Sequence, residues 1–303
     1  GCPIFCDVTN PGRHSPGAGE RVVTQYEGLL SADRLEREPG LAPRCILQVG
    51  PLPTAKSLRL WLENFDGFRW QWSDDPACLD PSRSRATWIP GNPSELEELP
   101  GDYGDETFRG AWLNAEKWAV DRVATWLEEV EVGFEGKVHR RIAESVASDQ
   151  QVFWSNSMPV RDAERFWFAD RPHGPRVFSS RGASGIDGIV STAAGLADKG
   201  PDTLAVVGDL AFLHDCGGLR SASVIDGSLT LLVLDNGGGR IFGQLPIAGE
   251  TDVFEEFFLT PQEVDPGALC EAHGIPIHFL DDADRLVEFL RSESRGTRVL
   301  WVT

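Results

Sequence analysis

A chain of 303 residues with 41% apolar residues and ten tryptophans is long enough for two domains and rich enough to bury real cores, which excludes a disordered or fibrous polypeptide. Its formal net charge of −19 argues against nucleic acids and anionic membrane surfaces as general partners, although local basic clusters can still serve an anionic substrate. No apolar run reaches the length of a membrane span and no signal peptide is read, while the six cysteines show neither a CxxC pair nor Cys/His metal spacing. Cys2 and Cys6 share a strand-like run, which argues against a bridge, so the expectation is a reduced, cytoplasmic protein.

In chain order, residues 1–8 (GCPIFCDV) predict a buried strand entering a Pro/Gly-rich loop. Residues 44–49 predict a second strand and residues 53–63 a helix with Leu58, Trp61 and Leu62 on its apolar side. Further short strands are expected at 68–72 and 86–89, giving a small α/β domain over residues 1–93. The acidic, turn-rich segment SELEELPGDYGDE opens a linker and connecting helix over 94–130, in which Trp112, Ala115, Ala119, Val123 and Trp126 are spaced along one face. A helix over 135–147 follows, and from Gln151 onward strands and helices alternate to a terminal strand at 298–302, with helices at 266–273 and 283–290. The fold class is therefore α/β, in two domains (1–93 and 131–303), each a mostly parallel sheet flanked by helices.

Near the start, Gly50-Pro-Leu-Pro-Thr-Ala-Lys56-Ser57 approaches a phosphate-binding loop, following a strand and opening a helix. Ala55 replaces the second glycine, and Pro51 and Pro53 have no N–H to offer, so the cradle fails.

The segment from Ser179 to Pro246 carries more chemistry. Two continuous, branched-rich runs, 203–207 and 229–234, read as buried strands joined by a crossover over 210–226, the size of a right-handed βαβ unit. They end at Asp209 and Asn236, so both side chains emerge at the carboxyl edge of the sheet, where open α/β sheets bind ligands. A carboxylate, an amide oxygen and a backbone carbonyl from Gly237-Gly238-Gly239 are three hard oxygen donors suited to a divalent cation. From these residues alone, an ordinary strand-end Asp followed by a glycine turn is the favoured reading.

That spacing resembles the cofactor signature of thiamine diphosphate enzymes. SNSMPVRDAERF, SRGASGIDGIVSTAAG, GDLAFLHD and DNGGGRIFGQLP, in this order, resemble one branch, 2-succinyl-5-enolpyruvyl-6-hydroxy-3-cyclohexene-1-carboxylate synthase of menaquinone and phylloquinone biosynthesis. The resemblance implies a middle domain plus a C-terminal thiamine diphosphate domain, with Mg²⁺ (or Mn²⁺) held by Asp209, Asn236 and the carbonyl of Gly238. It implies cofactor contacts at Ser157, Leu210, Ala211, Ile186 and Ile241, the first two backbone N–H groups after Asp209 facing the phosphates. Substrate contacts are implied at Arg161, Arg181, Lys56, Phe242 and Leu245.

The implied reaction decarboxylates 2-oxoglutarate and adds the resulting succinyl carbanion to isochorismate. The arginines have a clear task there, since a planar guanidinium fork matches carboxylates. Salt bridges of Arg161 or Arg181 with Asp162 or Asp187, a solvent-facing Lys56 and plain core roles for the four apolar residues are the competing readings. His214-Asp215 reads either as acid/base chemistry or as a helix cap. Asp235 stands where the branch has Asn, either adding charge near the cation or facing away. The activating Glu of the family belongs to an N-terminal pyrimidine-binding domain of a second subunit, so no catalytic residue is expected within this chain. The expectation is a fragment of a homo-oligomer, inactive alone. The alternatives are another thiamine diphosphate-dependent 2-oxoacid decarboxylase or acetolactate-type enzyme, and a non-catalytic cofactor-binding remnant.

Overall fold

A computed structural model describes residues 2–31, 38–75, 82, 85–92, 105–131, 133–168, 173–281 and 283–303. Most of the expected acidic linker lies outside the described residues. The chain divides into two compact units, one running to Trp126 and the other comprising Leu127–Trp167 and His173–Thr303.

In the first unit, strands β1 (Ile4–Phe5) and β2 (Val22–Val23) form a short parallel ladder. β3 (Cys45–Val49), β4 (Phe68–Ser73) and β5 (Thr87–Pro90) form a parallel sheet in that order. The helices Lys56–Glu63 and Glu106–Glu129 supply Leu58, Leu62, Trp112, Ala115 and Ala119 to a core with Tyr26 and Leu29. Two expectations are corrected. The buried strand over 1–8 shrinks to two residues with Ile4 exposed, because the strand it pairs with among the described residues is equally short and Pro3 offers no ladder N–H. In the long helix Trp126, expected on the apolar face, is exposed, since the buried stripe follows Trp112, Ala115 and Ala119 and this ring falls outside it. The near-miss phosphate loop is closed from below: the Asp7 carboxylate accepts the Thr54 N–H at 3.0 Å.

The second unit is built on a sheet that, among the described residues, is six-stranded and wholly parallel. Its strands are β6 (Gln151–Trp154), β7 (Arg176–Ser179), β8 (Thr203–Gly208), β9 (Ser228–Leu234), β10 (Ile277–Leu280) and β11 (Gly296–Val302), in the spatial order β10-β11-β9-β8-β6-β7. Every residue of β6 and of β9 is buried, as expected for strands covered by helices on both faces. One core joins Phe153, Ala205, Val207, Leu231, Val233 and Val299 to Ile189, Val190, Ala193 and Phe212 from the helices.

The chain passes from β6 outward to β7, then returns to place β8 on the opposite side of β6. That reversal is a topological switch point, and its crevice opens at the carboxyl ends of β6 and β8. The helix Pro266–Ala272 begins with Asp265 accepting the Gly267 N–H at 2.8 Å and is followed by Gly274 at φ 68°. Among the described residues no helix is long and apolar enough to cross a membrane.

Candidate functional site

β8 and β9 run in register, Gly208 opposite Leu234, so the residues that follow them leave the sheet side by side. Asp209 is the first residue of the short helix Asp209–His214 rather than the last of its strand, and it is buried. Burial pushes its carboxyl up to about 6, helped by the charge of Asp235 and opposed by the N–H groups of Leu210 and Gly238, which donate to it. The Leu210 N–H, expected to face a phosphate, is thus engaged by the neighbouring carboxylate.

The turn after β9 is fixed from several sides. The Asp235 carboxylate accepts the Gly237 N–H at 3.1 Å and the indole N–H of Trp301 at 3.0 Å. The Asp235 oxygens thus hold the turn, while its charge helps raise the Asp209 carboxyl. Gly239 donates to the Leu259 carbonyl at 2.7 Å. Gly238 lies at φ 121°, and a Cβ there would come within 2.1 Å of the Leu259 oxygen, so only glycine fits. Its carbonyl accepts the Arg240 N–H at 2.9 Å.

The Asn236 side chain is held on one side only. Its Nδ2 donates to Glu135 Oε1 at 2.6 Å, whereas Oδ1 is buried with no partner. An orphaned acceptor in a buried site signals a ligand. Glu135, first residue of the helix Glu135–Ser145, has its carboxyl raised by burial, with the Asn236 bond and His139 opposing that rise. His139 lies one turn on, its ring stacked against Trp154 at 5.1 Å.

On the other side of the switch point, the hydroxyls of Ser155 and Ser179 are also buried without partners, at the carboxyl ends of β6 and β7. Asn156 ties the two loops together: its Nδ2 donates to the carbonyls of Ser180 (2.9 Å) and Gly185 (2.6 Å), and its Oδ1 accepts from Arg181 (2.7 Å). Ser157 adopts φ 72°, an uncommon conformation for a residue with a side chain, as the chain turns into the helix Met158–Phe166. Its carbonyl accepts from Arg161 Nη1 at 2.6 Å. Both arginines are therefore anchored to the loop backbone or to Asn156 and half-buried beside the crevice.

The remaining expected residues fall into three places. Ile186 is half-buried against the core. Ile241 and Phe242 lie on one 3₁₀ turn and Leu245 is the extended residue between it and the next; Phe242 and Leu245 are exposed, so a plain core role is corrected for these two. Lys56 belongs to the first unit, exposed at the start of its helix. Asp215 accepts the Ser191 N–H at 2.7 Å near the start of the helix Ile189–Ala197, a capping contact, and His214 faces Asp187 at 3.8 Å.

Sequence reasoning missed Asn156 and Glu135. The first had a signal, an Asn between two serines at a strand end. The second had none, since it reaches Asn236 across 101 positions.

Among the described residues no group of three or more His, Cys, Asp or Glu side chains is gathered for a metal. A mixed donor set of carboxylate, amide oxygen and carbonyl is a different arrangement, matching the oxygen preference of Mg²⁺. Asp209 and the free Oδ1 of Asn236 fit such an ion.

The comparisons with known proteins agree with this geometry. Residues 159–300 match the sequence profile of the thiamine pyrophosphate enzyme C-terminal TPP-binding domain. Nearly the whole chain is similar to 2-succinyl-5-enolpyruvyl-6-hydroxy-3-cyclohexene-1-carboxylate synthases. It is 37% identical to that of Synechococcus sp. (strain JA-3-3Ab) over 99% of this chain and 50% of the relative. The identity is 37% with the synthase of Microcystis aeruginosa over 92% of this chain and 49% of the relative. With that of Thermosynechococcus vestitus it is 35% over 92% and 49%. The chain spans about half the length of the curated relatives it matches.

Proposed function

We propose that this chain is the middle and thiamine diphosphate-binding portion of a 2-succinyl-5-enolpyruvyl-6-hydroxy-3-cyclohexene-1-carboxylate synthase, acting on 2-oxoglutarate and isochorismate in menaquinone biosynthesis. The observation that carries it is the unpartnered Oδ1 of Asn236, one strand away from Asp209, in a domain of the thiamine pyrophosphate enzymes. When bound, thiamine diphosphate supplies the carbanion chemistry needed to join a decarboxylated 2-oxoacid to an acceptor.

The chain's own residues do the rest. Asp209, Asn236 and the carbonyl of Gly238 would hold Mg²⁺, whose charge would offset that of the diphosphate. Ser157 and the Ala211 N–H line the same edge. Arg161 and Arg181, fixed by the Ser157 carbonyl and by Asn156, present guanidinium groups to substrate carboxylates. A second subunit's pyrimidine-binding domain completes the site in this reading, making the working enzyme a homo-oligomer.

Isothermal titration of the chain with thiamine diphosphate tests the reading. Binding that requires Mg²⁺ and is weakened at least about tenfold in Asp209→Ala is expected, a loss of about 1.4 kcal/mol or more. Binding that ignores Mg²⁺ and the substitution contradicts it.

A further inference from the structure

Glu135 lies outside every residue set derived above from the glycine turn, yet its carboxylate is the hydrogen-bond partner of the Asn236 amide nitrogen, at 2.6 Å. An ionised carboxylate has acceptors only, whereas an amide has a donor end and an acceptor end. Of the two ways the amide can lie, only one places N–H on Glu135, and that one turns Oδ1 away from Glu135 into the position where it has no partner. The helix Glu135–Ser145 gives this acceptor a rigid mount: Glu135 is its first residue, and the helix packs through the buried Val138, His139, Ile142 and Ala143. His139, on the next turn, places its ring nitrogens 2.8 Å from the Glu135 carbonyl and 3.1 Å from that of Pro159, pinning the helix start to the first turn of the helix Met158–Phe166.

We infer that Glu135 is a positioning residue for the cation site, fixing the Asn236 amide so that its oxygen faces the ion and thereby dictating Asn rather than Asp at that position. The inference rests on the reading of Asp209 and Asn236 as cation ligands and adds a residue to it. An Asp at 236 would set two carboxyl groups about 2.6 Å apart in a buried site, where like-charge repulsion forces one of them to keep its proton and so costs the cation a ligand charge or a proton to displace. A Gln at 135 preserves the acceptor, because its Oε1 takes the same N–H. A Leu removes the acceptor and orphans the amide nitrogen.

Mn²⁺ binding to the full 303-residue chain, read by electron paramagnetic resonance in the presence of thiamine diphosphate, separates the possibilities. Glu135→Gln is expected to bind within about threefold of wild type and Glu135→Leu at least about tenfold more weakly. Asn236→Asp is expected to lose binding. Combined with Glu135→Gln it recovers at least about tenfold, because the Gln amide donates to the new carboxylate.

That recovery is a readout that a merely structural Glu135 does not move, and it stays informative should Glu135→Leu fail to fold. Equal weakening by Asn236→Asp in both backgrounds, or equal binding by Glu135→Gln and Glu135→Leu, overturns the inference while leaving the cation site standing. Failure of wild type to bind Mn²⁺, or equal binding by Asp209→Ala, overturns the site itself and this inference with it.

Discussion

Asp209 is a group whose fold-imposed cost reveals its use. Its carboxyl is raised from 3.8 to about 6, so the folded chain holds the proton more tightly than the unfolded one. Ionising Asp209 therefore opposes folding: the penalty is absent below the unfolded value, grows between the two, and is fully present above about 6. Asp209→Asn keeps an acceptor for the two N–H donors and removes the charge. Without metal, it is expected to melt above wild type near pH 8 and to converge with it near pH 4, as followed by scanning calorimetry. A wild type that outlasts the variant at the higher pH contradicts this.

Asp235 makes the opposite case. Both its oxygens are engaged, and Asp235→Ala strands the Trp301 indole N–H, at a cost of about 1–3 kcal/mol in denaturant unfolding. Asp209 and Asn236 were legible because each follows a continuous apolar run. The partner that aims Asn236 was not, because no local pattern encodes a contact over 101 positions.

At the level of elements, the carboxyl edge works because loops from β6, β7, β8 and β9 are locked to one another rather than left to themselves. Asn156 binds the β7 loop, and the Leu259 carbonyl seats the glycine turn. Gly238→Ala is expected to lose at least about 1 kcal/mol, since a side chain meets both the positive φ and the Leu259 oxygen. It is also expected to weaken cation binding, which thermal melts with and without Mg²⁺ and cofactor together measure.

The strands of the second unit could be read from sequence because buried parallel strands are uninterrupted apolar runs. The first unit was harder. Its opening strand is cut short by a two-residue partner, and the apolar pattern of Glu106–Glu129 winds beyond the buried stripe to include Trp118 and Trp126. The crossover between β8 and β9 is two short helices, Asp209–His214 and Gly218–Ala222, where periodicity alone offered one.

For the molecule as a whole, a net charge of −19 is self-repelling. Raising NaCl from about 0.02 to 0.3 M shortens the screening length to several ångströms and is expected to raise the melting temperature. An unchanged or lower value would place the acidic groups in favourable pairs instead. The same acidity makes anchored cations valuable where anionic ligands must enter, which is the position given to Arg161 and Arg181.

The claim beneath all of this is that the tips of β8 and β9 jointly grip a divalent ion. Crystals of the chain grown with Mn²⁺ and thiamine diphosphate and measured at the manganese absorption edge test it most directly. One anomalous peak is expected about 2.0–2.3 Å from both an Asp209 carboxylate oxygen and Asn236 Oδ1. A peak elsewhere, or an Asn236 amide presenting nitrogen to the ion, contradicts it.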